Sequence, residues 1–123
     1  MPRVISIHHY RFKLGVSTDR VEQTIERAIN EGLFDLPGLE NFHFLLGIKG
    51  DAEDRWTAIW VYTSRKAWEQ LWGTTSAPKT KDEYPDRWRR WEDDLLAPLL
   101  AEDPDKIRFT AYEEVFGCSI EDK

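Results

Sequence analysis

The residues best suited to chemistry in this 123-residue chain are a histidine and a tyrosine near its start. His8 and Tyr10 are two positions apart in a segment typical of a β-strand, so their side chains share one face. A histidine with a near-neutral pKa beside a phenol could take or pass on a proton of a bound aromatic substrate. A core histidine that is hydrogen-bonded to a tyrosine or to the backbone would show the same pattern, so both interpretations stay open.

The other two histidines do not complete a metal site. His9 follows His8 directly and points to the opposite face of the strand, where we expect an interface role. His43 begins a second strand, and its side is not determined by the sequence. Because His8 and His9 diverge, the three histidines lack the convergent geometry of a metal centre. We expect no metal and no cofactor, since the chain has neither a Gly-rich phosphate loop nor a serine nucleophile elbow.

Six tryptophans are the most unusual feature of the composition, in which aromatic residues make up 13%. Trp68 and Trp72 are spaced i, i+4, and Trp88 and Trp91 are spaced i, i+3, so each pair lies along one face of a helix. Side chains of this size could simply fill a core. Two or three of them could instead wall a pocket for a flat hydrophobic ligand, with indole N–H groups that orient its polar substituents.

The helix predicted around Trp88 and Trp91 also carries charged residues of both signs. Its acid–base pairs at i, i+4 include Asp86–Arg90 and Arg90–Asp94. We interpret these charges as a solvent-exposed face, with ion pairs worth a few tenths of a kcal/mol each. The acidic neighbours cancel the field of the arginines, so the face does not suit nucleic acid. The residues of this face are Glu83, Asp86, Arg87, Arg89, Arg90, Glu92, Asp93 and Asp94.

Charge and composition exclude several classes of protein. The 17 basic and 23 acidic residues give a net charge of −6, which argues against nucleic-acid binding and against docking on anionic lipid. Apolar runs are far shorter than the roughly 18 residues that span a bilayer, and no secretory signal pattern is visible. The single cysteine, Cys118, cannot form an internal disulfide. We therefore expect one cytoplasmic domain over residues 1–123.

Hydrophobic periodicity and chain breakers predict the elements that position these residues. Strands are predicted at residues 3–14, 42–48, 56–63 and 107–116. Helices are predicted from Ser17–Asp19 to Gly32, from Ser64 to Gly73, and from near Asp82 to about Leu100. The order β-α-β-β-α-α-β predicts an α+β fold, in which a ferredoxin-like antiparallel sheet carries helices on one face.

This arrangement resembles the dimeric α+β-barrel superfamily, and within it the antibiotic-biosynthesis-monooxygenase-like and stress-responsive A/B-barrel branches. The resemblance rests on a strand that ends His-Tyr-Arg-Phe-Lys at residues 9–13 and on a Leu-Pro-Gly-Leu turn at residues 36–39. It also rests on Ile-Trp-Val-Tyr-Thr-Ser at residues 59–64, which leads into an Ala67–Trp68 helix. It implies a homodimer that pairs two sheets back to back as a dimeric α+β barrel.

The resemblance also implies where a site would lie, because enzymatic members hold their pocket between each sheet and its helices. His8 and Tyr10 would face that pocket. The residues implied to bind a small aromatic ligand there are Trp60, Tyr62, Trp68, Trp72, Trp88 and Trp91. The olivetolic-acid-cyclase-like members have a His-Pro-x-x-His run that residues 73–79 lack, so we do not expect that mechanism.

The functions implied by the resemblance differ in class. The first is a cofactor-independent monooxygenase of an aromatic or polyketide-like substrate, with His8 as base and Tyr10 as its partner. The alternative is a non-catalytic ligand-binding or stress-response dimer. A third is haem binding or degradation, for which His8, His9 or His43 would have to supply an axial ligand. Fold alone does not choose among them, so whether the protein is an enzyme stays open.

Overall fold

The protein, described by a computed structural model over residues 2–120, folds around one four-stranded antiparallel sheet. The strands are β1 (Val4–Tyr10), β2 (Leu39–Leu46), β3 (Trp56–Tyr62) and β4 (Arg108–Glu113), and they pair in the order β2-β3-β1-β4. The regular helices are α1 (Thr18–Asn30), α2 (Arg65–Trp72) and α3 (Asp86–Arg89). The predicted α+β class and the ferredoxin-like arrangement are confirmed.

The two faces of the sheet differ in what covers them. In β1 the alternate residues Val4 and Tyr10 are buried beneath the helices, while Ile7 between them faces the other way. The strand register pairs Ile7 with Ile59 and Ile5 with Val61, so apolar side chains meet on the helix-free face. We call this second face, with His9 at one end, the outer face.

Both α1 and α2 begin at a serine that satisfies a free backbone N–H of the first turn. The hydroxyl of Ser17 accepts from the Arg20 amide at 3.2 Å, and the hydroxyl of Ser64 accepts from the Ala67 amide at 3.1 Å. Helix α2 crosses close to the turn before β2, because a Cβ on Gly38 would lie 2.6 Å from that of Ala67. Gly38 also adopts a φ of +83°, which glycine tolerates best.

The third helix differs from the single helix predicted over residues 82–100. Lys81–Glu83 forms a separate 3₁₀ turn, and α3 starts only after Pro85. Proline restricts the residue before it and lacks an N–H, so a helix can start but not run through it. From α3 the chain continues without a break into a π-helix at Arg90–Leu96 and a 3₁₀ turn at Ala97–Leu99.

Two strands are shorter than predicted. β1 ends at Tyr10 instead of Leu14, because the chain turns away and Phe12 forms an isolated bridge with Leu100 at the end of the third helix. β4 ends at Glu113 instead of Phe116. Both strands were predicted to be longer because apolar residues continue beyond Tyr10 and Glu113. The backbone hydrogen bonds to the neighbouring strands stop at those residues.

Candidate functional site

Aromatic side chains fill the space between the sheet and the third helix. Trp60 lies fully buried in β3, with the ring centroid of Trp88 at 4.9 Å and that of Phe34 at 5.1 Å. Trp88 in turn contacts Trp72 at 5.2 Å, and Trp91 packs on Phe34 at 5.0 Å. The structure therefore brings Trp60, Trp72 and Trp88 into direct contact, and Trp91 joins them through Phe34. We call these five residues the aromatic cluster.

Tyr62 belongs to the edge of the aromatic cluster that α2 covers. The indole Nε1 of Trp72 donates to the Tyr62 hydroxyl at 3.2 Å. Burial raises the pKa of Tyr62 above its ordinary value, so the phenol stays protonated at neutral pH. Trp68, one turn earlier on α2, is half-buried against the same core.

His8 lies on the helix-covered face of β1 and is surrounded by aromatic rings. Its ring centroid is 5.5 Å from that of Phe109 and 6.0 Å from those of Trp60 and Trp88. Burial, and secondly the neighbouring His9, lower the pKa of His8 to about 4, so the imidazole is neutral at pH 7. Its Nδ1 is buried and makes no hydrogen bond within residues 2–120. His8 thus presents a neutral imidazole inside an apolar wall.

Tyr10 shares the face of His8, as its spacing predicts, but no hydrogen bond joins the two side chains. The rings meet edge to face with centroids 6.4 Å apart. Burial is the main cause that raises the pKa of Tyr10, and the nearby indole N–H groups of Trp60 and Trp91 oppose the rise. Those two nitrogens and the Tyr10 oxygen are all buried without hydrogen-bond geometry in the described part of the chain. Tyr10 therefore contacts His8 through its ring and not through its hydroxyl.

Glu92 is buried, and the prediction that it belongs to a solvent-exposed charged face is wrong. Only 9% of its surface is accessible. Burial raises the pKa of Glu92 to about 7, against the positive charge of Lys81 and a hydrogen bond from Trp88, which lower it. Its charge in turn helps to raise the pKa of Tyr10 and of Tyr62. A carboxyl group that titrates near neutral pH thus borders the aromatic cluster.

The sequence does contain a signal for the burial of Glu92. On a helix it lies four residues after Trp88 and four before Leu96, within the apolar stripe. Its charged neighbours mask that signal because they do face solvent. Among them the predicted pair Arg90–Asp94 forms at 3.2 Å, whereas Asp86 pairs with Arg89 instead of Arg90.

The side chains of the aromatic cluster do not line the open cavity of the molecule. That cavity, of about 180 Å³, lies at the end of the sheet where β1 finishes and β4 begins. Tyr10 is one of the residues that line this cavity, and most of the other lining residues are charged or polar. Its walls include His9, Arg11, Arg55, Trp56, Lys106 and Arg108. A second cavity, of about 10 Å³, lies between Tyr10, Trp91 and residues of α1.

Two kinds of feature are absent from residues 2–120. No group of three or more His, Cys, Asp or Glu side chains comes together to hold a metal ion. No helix in this range is both long and apolar enough to cross a bilayer. His43 is exposed on β2 and pairs with Ile59 of β3, which in turn pairs with Ile7 of β1. His43 and His8 therefore lie on opposite faces of the sheet, with β3 between their strands.

Comparison with known proteins identifies the fold but not a close relative. No protein-family model matches the sequence. No curated protein matches it either. Solved structures do match it over nearly the whole chain.

Three of the matching structures show what the architecture has in common with other proteins. A dimeric ferredoxin-like protein of unknown function from Thermobifida fusca is 17% identical, with 92% of each chain covered and a TM-score of 0.60. A hydroxynitrile lyase from Passiflora edulis is 13% identical, with 95% of this chain and 97% of that chain covered and a TM-score of 0.60. A candidate antibiotic biosynthesis monooxygenase from Nitrosomonas europaea is 18% identical, with 95% and 94% covered and a TM-score of 0.55. The protein has a ferredoxin-like α+β fold.

Proposed function

We propose that the protein is a cofactor-independent monooxygenase that acts, as a homodimer, on an aromatic or polyketide-like substrate. The observation that carries this proposal is the state of His8. Its imidazole is neutral at pH 7, and its Nδ1 is buried without a partner in the described residues. Aromatic rings of Phe109, Trp60 and Trp88 surround it. A neutral imidazole is the form that can accept a proton, and flat apolar walls suit an aromatic substrate.

The reaction requires only the substrate, dioxygen and a proton acceptor. His8 takes a proton from an activated ring carbon, and the electron pair of that C–H bond stays on the substrate as a delocalised anion. The anion forms a C–O bond with dioxygen, and the imidazolium of His8 returns its proton to the outer oxygen to give a hydroperoxide. The O–O bond then breaks together with the remaining C–H bond of the same carbon, and the outer OH group and that proton leave as water. One oxygen atom ends as a ketone on the substrate and the other as water, so a methylene group and O₂ become a carbonyl group and H₂O.

A ligand would reach His8 from the side of β4. Phe109 covers the imidazole from that strand, yet 60% of its own surface is exposed. Movement of this one side chain would open the aromatic wall to solvent. Tyr10 holds the other edge of the imidazole through its ring contact and, with Trp60, Tyr62, Trp68, Trp72, Trp88 and Trp91, completes the proposed binding residues.

The outer face of the sheet supports the proposed homodimer. Ile5, Ile7, Ile59 and Val61 form its centre in two cross-strand pairs. The exposed Tyr112 of β4 pairs in register with Ile5 and extends the same face. In an antiparallel sheet, the face opposite the core is commonly polar and in contact with water. An apolar second face, such as this one, therefore calls for a covering layer. A second copy of the chain would supply that layer, and one solved structure of the same fold is described as dimeric.

The oxygenase proposal is tested by dioxygen uptake with phenolic tricycles. A dihydroxyanthrone should be converted to the quinone by the wild-type protein, with ¹⁸O from ¹⁸O₂ in the product. His8→Gln should lower the rate by about 100-fold or more, since general-base catalysis contributes about that much. His43→Gln, which alters an exposed histidine of β2, is the matched control and should keep full activity.

The alternative is a ligand-binding dimer without turnover. It is favoured by the cavity of about 180 Å³, whose lining includes Trp56 and Tyr10 but not His8, so that a ligand could bind there away from the proposed base. This alternative predicts that the same phenols quench tryptophan fluorescence without any dioxygen uptake, and that His8→Gln changes neither result. Uptake that persists in His8→Gln would instead place the base elsewhere in the site.

A further inference from the structure

Glu92 is the feature of the aromatic cluster that the proposed reaction leaves unused. Among residues 2–120 it is the one charged side chain that is buried. Within the same range it takes part in no salt bridge, although its neighbours Asp93 and Asp94 do. Carboxyl groups are almost never buried unless they are paired, so a purely structural role would be costly.

The groups that face Glu92 come from every element packed around it. Tyr10 of β1, Tyr62 of β3 and Tyr84 before α3 are phenols whose pKa its charge helps to raise. Trp88 donates toward it from one turn earlier on the same helix. The charged groups on its solvent side are Lys81, Asp93 and Asp105. Apart from Lys81, the groups that interact with the carboxyl are three phenols, one indole and two carboxylates.

Lys81 is a group of opposite charge near Glu92, and its charge lowers the pKa of that carboxyl. Its ammonium binds Asp93 at 2.6 Å and Asp105 at 2.8 Å, which joins the 3₁₀ turn at Lys81–Glu83 to the helix and to the turn at Pro104–Lys106. The lysine is thus engaged by two other carboxylates and leaves Glu92 without a direct ion pair.

The backbone at Glu92 is also unusual. It lies in the π-helix Arg90–Leu96, and π segments are rare and are found frequently at functional sites. The wider turn holds Glu92 and Leu96 against the core together, while Asp93 and Asp94 remain at the surface. Burial, lack of an ion pair and the local helix geometry are three separate observations on the same residue.

We propose that Glu92 binds the phenolic hydroxyl of the ligand and accepts its proton. This inference rests on the proposed function, because it assumes an aromatic ligand in the cluster. The O–H bond of the ligand breaks, its electron pair stays on the phenol oxygen, and the proton moves to a carboxylate oxygen of Glu92. Solvent then takes up this proton past Lys81. His8 acts on a different proton of the ligand, at carbon.

The test uses dihydroxyanthraquinone, a phenolic probe that cannot undergo the oxygenation, and follows its binding by tryptophan fluorescence. Hydrogen bonds to a charged acceptor are the stronger kind, so wild-type affinity should rise about tenfold between about pH 6 and pH 8. Glu92→Gln keeps the shape of the side chain and should bind the probe weakly and equally at both pH values. Asp94→Asn removes an exposed carboxylate of the same helix and should behave as wild type.

A measurement on the wild-type protein keeps the inference testable if Glu92→Gln does not fold. The infrared C=O band of a buried carboxylic acid should be present near pH 6, disappear toward pH 8 and shift when the probe binds. If the frequency of this C=O band does not change when the probe binds, the inference is wrong. A pH-dependent affinity that survives in Glu92→Gln overturns it too, and dioxygen uptake by that variant would show that the proposed function still stands. Failure of the wild type to bind any phenol overturns both.

Discussion

Trp72 and Tyr62 are joined by a hydrogen bond of 3.2 Å from the indole nitrogen to the phenol oxygen, which ties α2 to β3 beneath the surface. Tyr62 is buried, and Trp72 is half-buried and stacks edge to face on Tyr84 at 5.1 Å. This polar contact therefore links a helix directly to the strand it covers. Its energetic contribution is measurable because each partner can be replaced by phenylalanine.

Trp72→Phe and Tyr62→Phe should each destabilise the protein by about 1–3 kcal/mol, since each leaves a buried polar atom without its partner or removes packing. The double variant should lose about 1 kcal/mol less than the sum of the two, and this difference is the coupling energy of the pair. Urea denaturation measures all three free energies of unfolding. Phe116→Leu, which changes a fully exposed side chain beyond the end of β4, is the control and should be neutral. Simple additivity of the two changes would show that the bond contributes nothing.

His8 and Glu92 should give the free energy of unfolding opposite slopes with pH. The folded pKa of His8, about 4, lies below its unfolded value, so the unfolded chain binds the proton first and stability falls as pH drops from about 6.5 to 4. The folded pKa of Glu92, about 7, lies above its unfolded value, so stability falls as pH rises from about 4.5 to 7. Each effect is about 3 kcal/mol over its full range.

The two slopes should largely cancel in the wild type between about pH 4.5 and 6.5. Glu92→Gln should therefore become more stable as pH rises through this window, and His8→Gln should become less stable. Denaturation at several pH values measures the slopes, with His43→Gln as a control that keeps the wild-type profile. Equal slopes in the two site variants would mean that neither group is perturbed as described.

The homodimer should depend on the centre of the outer face. Ile7→Glu and Ile59→Glu each place a charge in one cross-strand pair of that face, and a charge buried there without a partner is strongly unfavourable. Light scattering after gel filtration should show a dimer for the wild type and a monomer for both variants. Leu14→Glu, which changes a fully exposed residue of the loop after β1, should remain dimeric. Dimers in all three proteins would place the interface elsewhere.

The sheet could be predicted well because alternation in the strands is a short-range signal. His8 and His9 fall on opposite faces, as their adjacency requires, and the serine caps of α1 and α2 stand where helices begin. The third helix was harder to predict, because a pattern of apolar residues with 3.6 residues per turn does not show where a π segment occurs. Pro85 did mark the true start, but the polar residues before it also fit a helix.

The candidate site could be predicted only in part, because it depends on the direction in which each side chain points as well as on the position of the residue in its strand or helix. Tyr10 shares a strand face with His8, yet its hydroxyl lies near Trp60 and Trp91, a choice that depends on how the core packs. Glu92 was hidden by its charged neighbours, although its spacing from Trp88 placed it on the apolar stripe. The charge of Glu92 suggested a place on the surface, whereas its spacing from Trp88 along the helix would have suggested a place in the core.

The π-helix at Arg90–Leu96 marks the place in the third helix where this chain can lose a residue during evolution. A π turn holds one residue more than an α turn, so deleting one residue there would give an ordinary α-helix whose two ends keep nearly the same rotation about the helix axis. The hydrogen bond from the Lys13 amide to the Leu99 carbonyl, at 2.8 Å, and the bridge between Phe12 and Leu100 would then persist. Related chains should therefore vary by one residue between Trp88 and Leu99, as well as at the hairpin of residues 49–54.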